Sequence, residues 1–147
     1  AVASLVQLGS NHSVPSRQGH VGFALCTFAD LKPDNLRVVV AQGGLHLVLA
    51  ALVETPSICD LRRAPLDFLV SSLDPNGYHV GEVRDAVACF AADDESLIPA
   101  VVASIDFERA KAIAILAGLM RYTNPAIQKK IAGANGQAHL LDSLEQV

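Results

Sequence analysis

Residues 39–49 read Val39-Val40-Ala41-Gln42-Gly43-Gly44-Leu45-His46-Leu47-Val48-Leu49. Apolar side chains run up to a glycine pair and resume at once beyond it. Ending a helix usually takes a residue in the left-handed conformation, which glycine adopts without steric cost. The stretch therefore predicts a helix, a corner at Gln42-Gly43-Gly44 and a second helix. Upstream, Leu31-Lys32-Pro33-Asp34 marks the start of the first of these helices. Proline suits the gap after one helix and the first turn of the next.

The same punctuation returns twice, as Leu73-Asp74-Pro75-Asn76 and Thr123-Asn124-Pro125-Ala126. Pro33, Pro75 and Pro125 are spaced by 42 and 50 residues, against roughly 40–47 for helical repeats of the armadillo and HEAT type. The second interval thus carries a small insertion. A shift of 92 residues lays Val39 on Ile131, Gly44 on Gly136, Leu49 on Leu141 and Leu52 on Leu144. It also repeats the glycine corner as Asn135-Gly136. Leu49 and Leu141 are then equivalent buried positions. The middle copy has lost the glycine and reads Ala92-Asp93-Asp94-Glu95-Ser96, followed by Leu97-Ile98-Pro99-Ala100-Val101-Val102. Acidic residues there favour the positive N-terminus of a helix, by about 0.3–1 kcal/mol each.

Val40 to Val48 resembles the armadillo corner I-x-x-A-G-A-L-P-x-L-V, and Leu97 to Val102 resembles its L-P-A-L-V half. Ala3-Ser4-Leu5-Val6-Gln7-Leu8 is similar to the end of a second helix, and Ile127 to Leu144 to another corner. The resemblance covers nearly the whole chain and implies an all-α fold: a right-handed α-solenoid of about three armadillo-like repeats. Residues 1–147 then form a single domain, with a partial repeat at 1–31, repeats at 33–73 and 75–122, and a partial repeat at 125–147. Helices are expected near 1–8, 16–31, 33–42, 44–53, 58–73, 79–91, 97–105, 107–122, 125–134 and 136–146. Pro65 conflicts with the fifth of these, and marks either a kink or the true helix start. In the eighth, Phe107, Ala110, Ile113, Ala114 and Ala117 share one face, while Ile115 and Leu119 make the other side apolar too. Such a helix is expected to be buried between neighbours.

In armadillo proteins the third helix of each repeat lines a concave surface. Peptide-binding members present there a tryptophan and, four residues on, an asparagine that grips the partner's backbone. An amide supplies donor and acceptor together, and an indole a flat apolar wall. Aligning the third helices on Leu31, Leu73 and Thr123 puts Asp30, Ser72 and Tyr122 at the asparagine position and Cys26, Phe68 and Gly118 at the tryptophan position. The ladder is absent and the chain has no tryptophan, which speaks against an extended basic peptide as ligand. A different mode of binding in the groove would use Asp30, Phe68, Ser72, Arg121 and Tyr122. The competing reading takes these as ordinary surface and packing residues.

Composition narrows the function classes further. Apolar residues make up 51% and charged residues 18% of the 147, with a mean hydropathy of +0.35, which is apolar for a small domain. The longest apolar runs, 45–53 and 112–120, fall short of the roughly 20 residues of a membrane span. A slice of a longer helical array fits better, because neighbouring repeats would cover its ends. The chain begins with Ala1 inside an apolar helical pattern, as an excised or processed piece would. A net charge of −4 argues against nucleic acid, which needs clustered Lys and Arg.

Cys26, Cys59 and Cys89 are odd in number and show no pair spacing, and no signal peptide is visible. Free core thiols in a reducing, cytoplasmic setting are expected, with Cys26 and Cys89 inert among apolar neighbours. His12, His20, His46, His79 and His139 show no metal-ligand spacing, and Asp93-Asp94-Glu95 lacks the alternating ligands of a calcium loop. No cofactor, metal or catalytic set is therefore expected. The function implied is a non-catalytic scaffold for a partner protein or peptide. The alternative is a structural segment of a longer solenoid within an assembly, self-associating through its exposed ends.

Overall fold

The computed structural model describes residues 2–10, 15–54, 63–74, 80–121 and 124–134. Among them the regular structure is helical throughout, without strands: α1 (Val2–Ser10), α2 (Pro15–Leu31), α3 (Pro33–Ala41), α4 (Leu45–Glu54), α5 (Arg63–Leu73), α6 (Val80–Asp93), α7 (Leu97–Ala103), α8 (Arg109–Met120) and α9 (Pro125–Gly133). The all-α expectation holds. The corner and helix expected over 135–146, the equivalence of Leu141 with Leu49, and the segment 55–62 that contains Cys59 lie outside the described residues.

Proline and glycine act where their chemistry suggests. Pro33 and Pro125 open α3 and α9 at positions where a missing N–H costs nothing. The Asn124 side chain accepts from the Ala126 N–H at 2.9 Å and caps α9. Pro65 is the third residue of α5 as described and is buried; the segment before Arg63, on which the choice between a kink and a helix start depends, lies outside the described residues. At the first corner the Gly44 N–H donates to the Val39 carbonyl (3.0 Å) and the Gly43 N–H to that of Val40 (3.1 Å), with Gly43 at φ 78°. This reciprocal closure is the Schellman arrangement. At the second corner Asp94 Oδ1 accepts from the N–H groups of Ser96 (2.7 Å) and Leu97 (3.1 Å) and starts α7.

Packing follows a rule of three. Helix α1 touches α4 and α4 touches α7; α2 touches α5 and α5 touches α8; α3 touches α6 and α6 touches α9. Between α5 and α8 the partners can be read in order. Arg63 pairs with Glu108, Asp67 with Lys111 (2.8 Å), and Leu73 lies over Gly118. The numbers rise together, so α5 and α8 run parallel. Arg37 of α3 and Glu82 of α6, 45 residues apart in the chain, pair at 3.2 Å. The side chains of this last pair are half exposed or more, so it fixes register and adds little stability, about 0–1 kcal/mol.

The core is aliphatic. Leu47 and Leu52 of α4, Leu66 and Leu69 of α5, Ile98 of α7 and Ile115, Leu116 and Leu119 of α8 are fully enclosed. Each such side chain contributes about 1.5–3 kcal/mol by leaving water. Helices α2 and α4 come close together at Gly22, where an added Cβ would stand 1.8 Å from the Leu47 carbonyl oxygen.

Helix α8 is buried on one side, and not all round as its apolar sequence leads one to expect. Ala112, Ile115, Leu116, Gly118 and Leu119 are buried, whereas Ala110, Ala114 and Ala117 are exposed. Both sides are apolar, and the side with the larger side chains removes more area from water. No single helix among the described residues is long and apolar enough to cross a membrane. Asp34–Ala41 and Leu45–Val53 reach that composition only as a pair bent by 97°.

Candidate protein-interaction face

Helices α2, α5 and α8 lie side by side, and each leaves one side uncovered. On α2 this side carries His20, Ala24, Thr27 and Leu31; on α5, Arg63, Asp67, Ser71 and Asp74; on α8, Ala110, Ala114, Ala117 and Arg121. Burial supplies the alignment of the three helices. Gly22, Pro65 and Ala112 are equivalent, as are Leu25, Phe68 and Ile115, then Cys26, Leu69 and Leu116, then Ala29, Ser72 and Leu119; all twelve are buried. The offsets are 43 and 47 residues.

This phase moves the expected binding residues. Phe68 and Ser72 are 4% and 3% exposed, so neither presents a surface to a partner. Phe68 belongs to the row of Leu25 and Ile115, and the Ser72 hydroxyl donates to the Phe68 carbonyl at 2.7 Å. Asp30 and Arg121 are exposed but occupy different rows, and Tyr122 lies outside the described residues. Cys26 and Gly118, aligned with Phe68 above, are also buried. Phe68 and Ser72 therefore do not form a continuous surface with the exposed Asp30 and Arg121.

What the uncovered side offers is small side chains bordered by charge. Asp67 is engaged by Lys111, and Arg63 by the largely enclosed Glu108. The Thr27 hydroxyl donates to the Phe23 carbonyl in its own helix (3.1 Å), which leaves its methyl group as outer surface. The charges on this face balance, Arg63 and Arg121 against Asp67 and Asp74.

The chemistry elsewhere is sparse. Burial pushes the Cys26 thiol up to about 12, so it stays protonated and unreactive at neutral pH. Cys89 is exposed, not part of the core as its apolar sequence neighbours suggest. Its position on α6 turns it outward between Ala88 and Ala91, which are buried. His20 and His46 are exposed on different helices, and no group of three His, Cys, Asp or Glu side chains gathers into a metal site among the described residues. Comparison with protein-family models, curated proteins and solved structures finds no match to this chain.

Proposed function

We propose that this chain is a right-handed α-solenoid of about three armadillo-like repeats that holds a partner protein without catalysing a reaction. The partner sits on the uncovered side of α2, α5 and α8. The observation that carries this reading is the contact of each helix with the helix three places on, together with the parallel run of α5 and α8. Stacked three-helix units leave one helix of every unit on a common extended surface, and binding energy on such a surface comes from a few anchors. Extended-peptide recognition of the tryptophan–asparagine kind is not part of the proposal.

The test is affinity capture from a lysate, comparing the wild-type chain with Ala24→Arg and Ala114→Arg. Both positions are exposed, so the fold tolerates the change, which circular dichroism verifies. A protein retained by the wild type and lost with both variants supports the reading. Proteins that bind all three chains alike would sink it.

A second reading, a structural segment of a longer solenoid, is favoured by Leu8 on α1 and Leu31 on α2, which are 45% and 72% exposed. If these leucines are covered by further protein in the natural assembly, the isolated chain self-associates. Leu8→Glu with Leu31→Glu then restores a monomer in sedimentation.

A further inference from the structure

Helix α6 ends at Asp93, and its last carbonyls have no partners within the helix. The Phe90 carbonyl is taken by the Asp94 N–H at 2.8 Å. Those of Ala91, Ala92 and Asp94 all accept from one atom, Lys130 Nζ of α9, at 3.5 Å for Ala91 and 3.1 Å for Asp94. An ammonium group is suited to this because it carries three N–H donors on a single atom and its charge complements a helix C-terminus. Asp94 is thereby held from two directions. Its carbonyl is fixed by α9, and its carboxylate fixes the first N–H groups of α7.

Among the described residues, few other side chains hold helix α9. It is nine residues long, and Ile127 and Ile131 are its buried side chains. A helix of that length does not persist alone in water. Among the described residues, its place against α6, α7 and α8 rests on Ile127, Ile131, the half-buried Ala134 and the Lys130 charge.

We propose that α9 and the α6–α7 corner form one cooperative opening unit, latched by the Lys130 ammonium. With the latch made, both segments are ordered. With it broken, α9 lifts from α6, α7 and α8, uncovers the apolar surface that Ile127 and Ile131 fill, and releases the corner at the same time. The unit lies apart from the uncovered side of α2 and α5, and the inference does not depend on a partner binding there.

Hydrogen exchange on the full chain tests it, with wild type, Lys130→Met and Lys130→Arg compared. Methionine keeps the apolar stem and removes the donors. Segments 91–97 and 125–134 are expected to exchange together about tenfold faster or more in Lys130→Met, with α2–α5 unchanged. Arginine, which keeps charge and donors, retains most of the protection. Unchanged exchange in Lys130→Met, an increase spread evenly over the chain, or an increase in only one of the two segments overturns the proposal. Should Lys130→Met not fold, wild type in dilute urea gives the same reading. The two segments must then open with one shared urea dependence, and separate dependences refute the latch.

Discussion

Among the described residues, two corners lead from one helix of a unit into the next, α3 to α4 and α6 to α7, and each must satisfy the carbonyls a helix end leaves over. The first does so from within. Gly43 takes a positive φ, and the N–H groups of Gly43 and Gly44 turn back onto Val40 and Val39. The second has no glycine. Its carbonyls are served by Lys130, between 36 and 39 residues further along the chain, and the following helix is started by Asp94. A corner closed locally can form before anything else has folded. A corner closed by a distant side chain forms only when that side chain's helix has docked, so its stability reports on the rest of the molecule.

The largest expected effect concerns what the first corner delivers. It turns α4 so that the Leu47 carbonyl lies against Gly22 of α2, where a methyl group would stand 1.8 Å from that oxygen. The obstacle is backbone and cannot rotate away. Gly22→Ala should therefore cost about 3 kcal/mol or more, read as a lower urea midpoint with an unchanged slope. A loss below about 1 kcal/mol would mean that the two helices can separate freely, and that the corner does not fix where α4 lies.

Next comes the distant cap. Lys130→Met should lower global or local stability by about 2 kcal/mol, the scale for removing charge-assisted bonds and leaving their acceptors unserved. Equilibrium unfolding of both lysine variants measures it. A loss no larger than that of an ordinary surface substitution, about 0.5 kcal/mol, would show that water replaces the ammonium, and the contrast between the corners would vanish.

Much of this architecture is legible in the sequence because it is written in short-range chemistry. Prolines at 33 and 125 and glycines at 43 and 44 act through their own backbones, so helix limits can be read to within a few residues. Rows across helices are harder. Aligning the third helices through their prolines uses the loops as rulers, and loop lengths vary between copies. The offsets of 42 and 50 so obtained differ by one and three residues from the 43 and 47 that burial gives. One residue turns a helix by about 100°, since a turn takes about 3.6 residues. That is why Ser72, aligned with the exposed Asp30 by the prolines, is core, whereas Phe68 falls in a buried row under either alignment. Helices apolar on every side, such as α8, carry no phase of their own, so Ala110, Ala114 and Ala117 proved to be surface. The Lys130 latch is not legible at all: nothing local marks a lysine that serves carbonyls of another helix.

Gly43→Ala isolates the local corner. An added Cβ there meets nothing within 4 Å, so packing is not disturbed and the cost is the left-handed backbone alone, about 1 kcal/mol. Gly43→Asn should cost less, since asparagine is the other residue that commonly ends helices this way. Thermal unfolding of the pair decides it. Equal losses would mean that the positive φ is not what stabilises the turn, and the Schellman closure would be incidental.

The smallest expected effect tests whether the second corner has any stability of its own. Asp94→Ala removes the acceptor for the Ser96 and Leu97 N–H groups, a loss of about 0.5–1 kcal/mol for a part-exposed cap. In the wild type Lys130 holds the same residue's carbonyl, so cap and latch act on one turn. Adding Asp94→Ala to Lys130→Met should then cost less than the two single losses combined, because a turn already released gains little from its cap. A shortfall of about 0.5 kcal/mol or more in the double-mutant cycle is the expected sign of coupling. Strict additivity would mean that Asp94 starts α7 whether or not α9 is docked. The second corner would then be as self-sufficient as the first, its glycine replaced by an aspartate and not by a distant lysine.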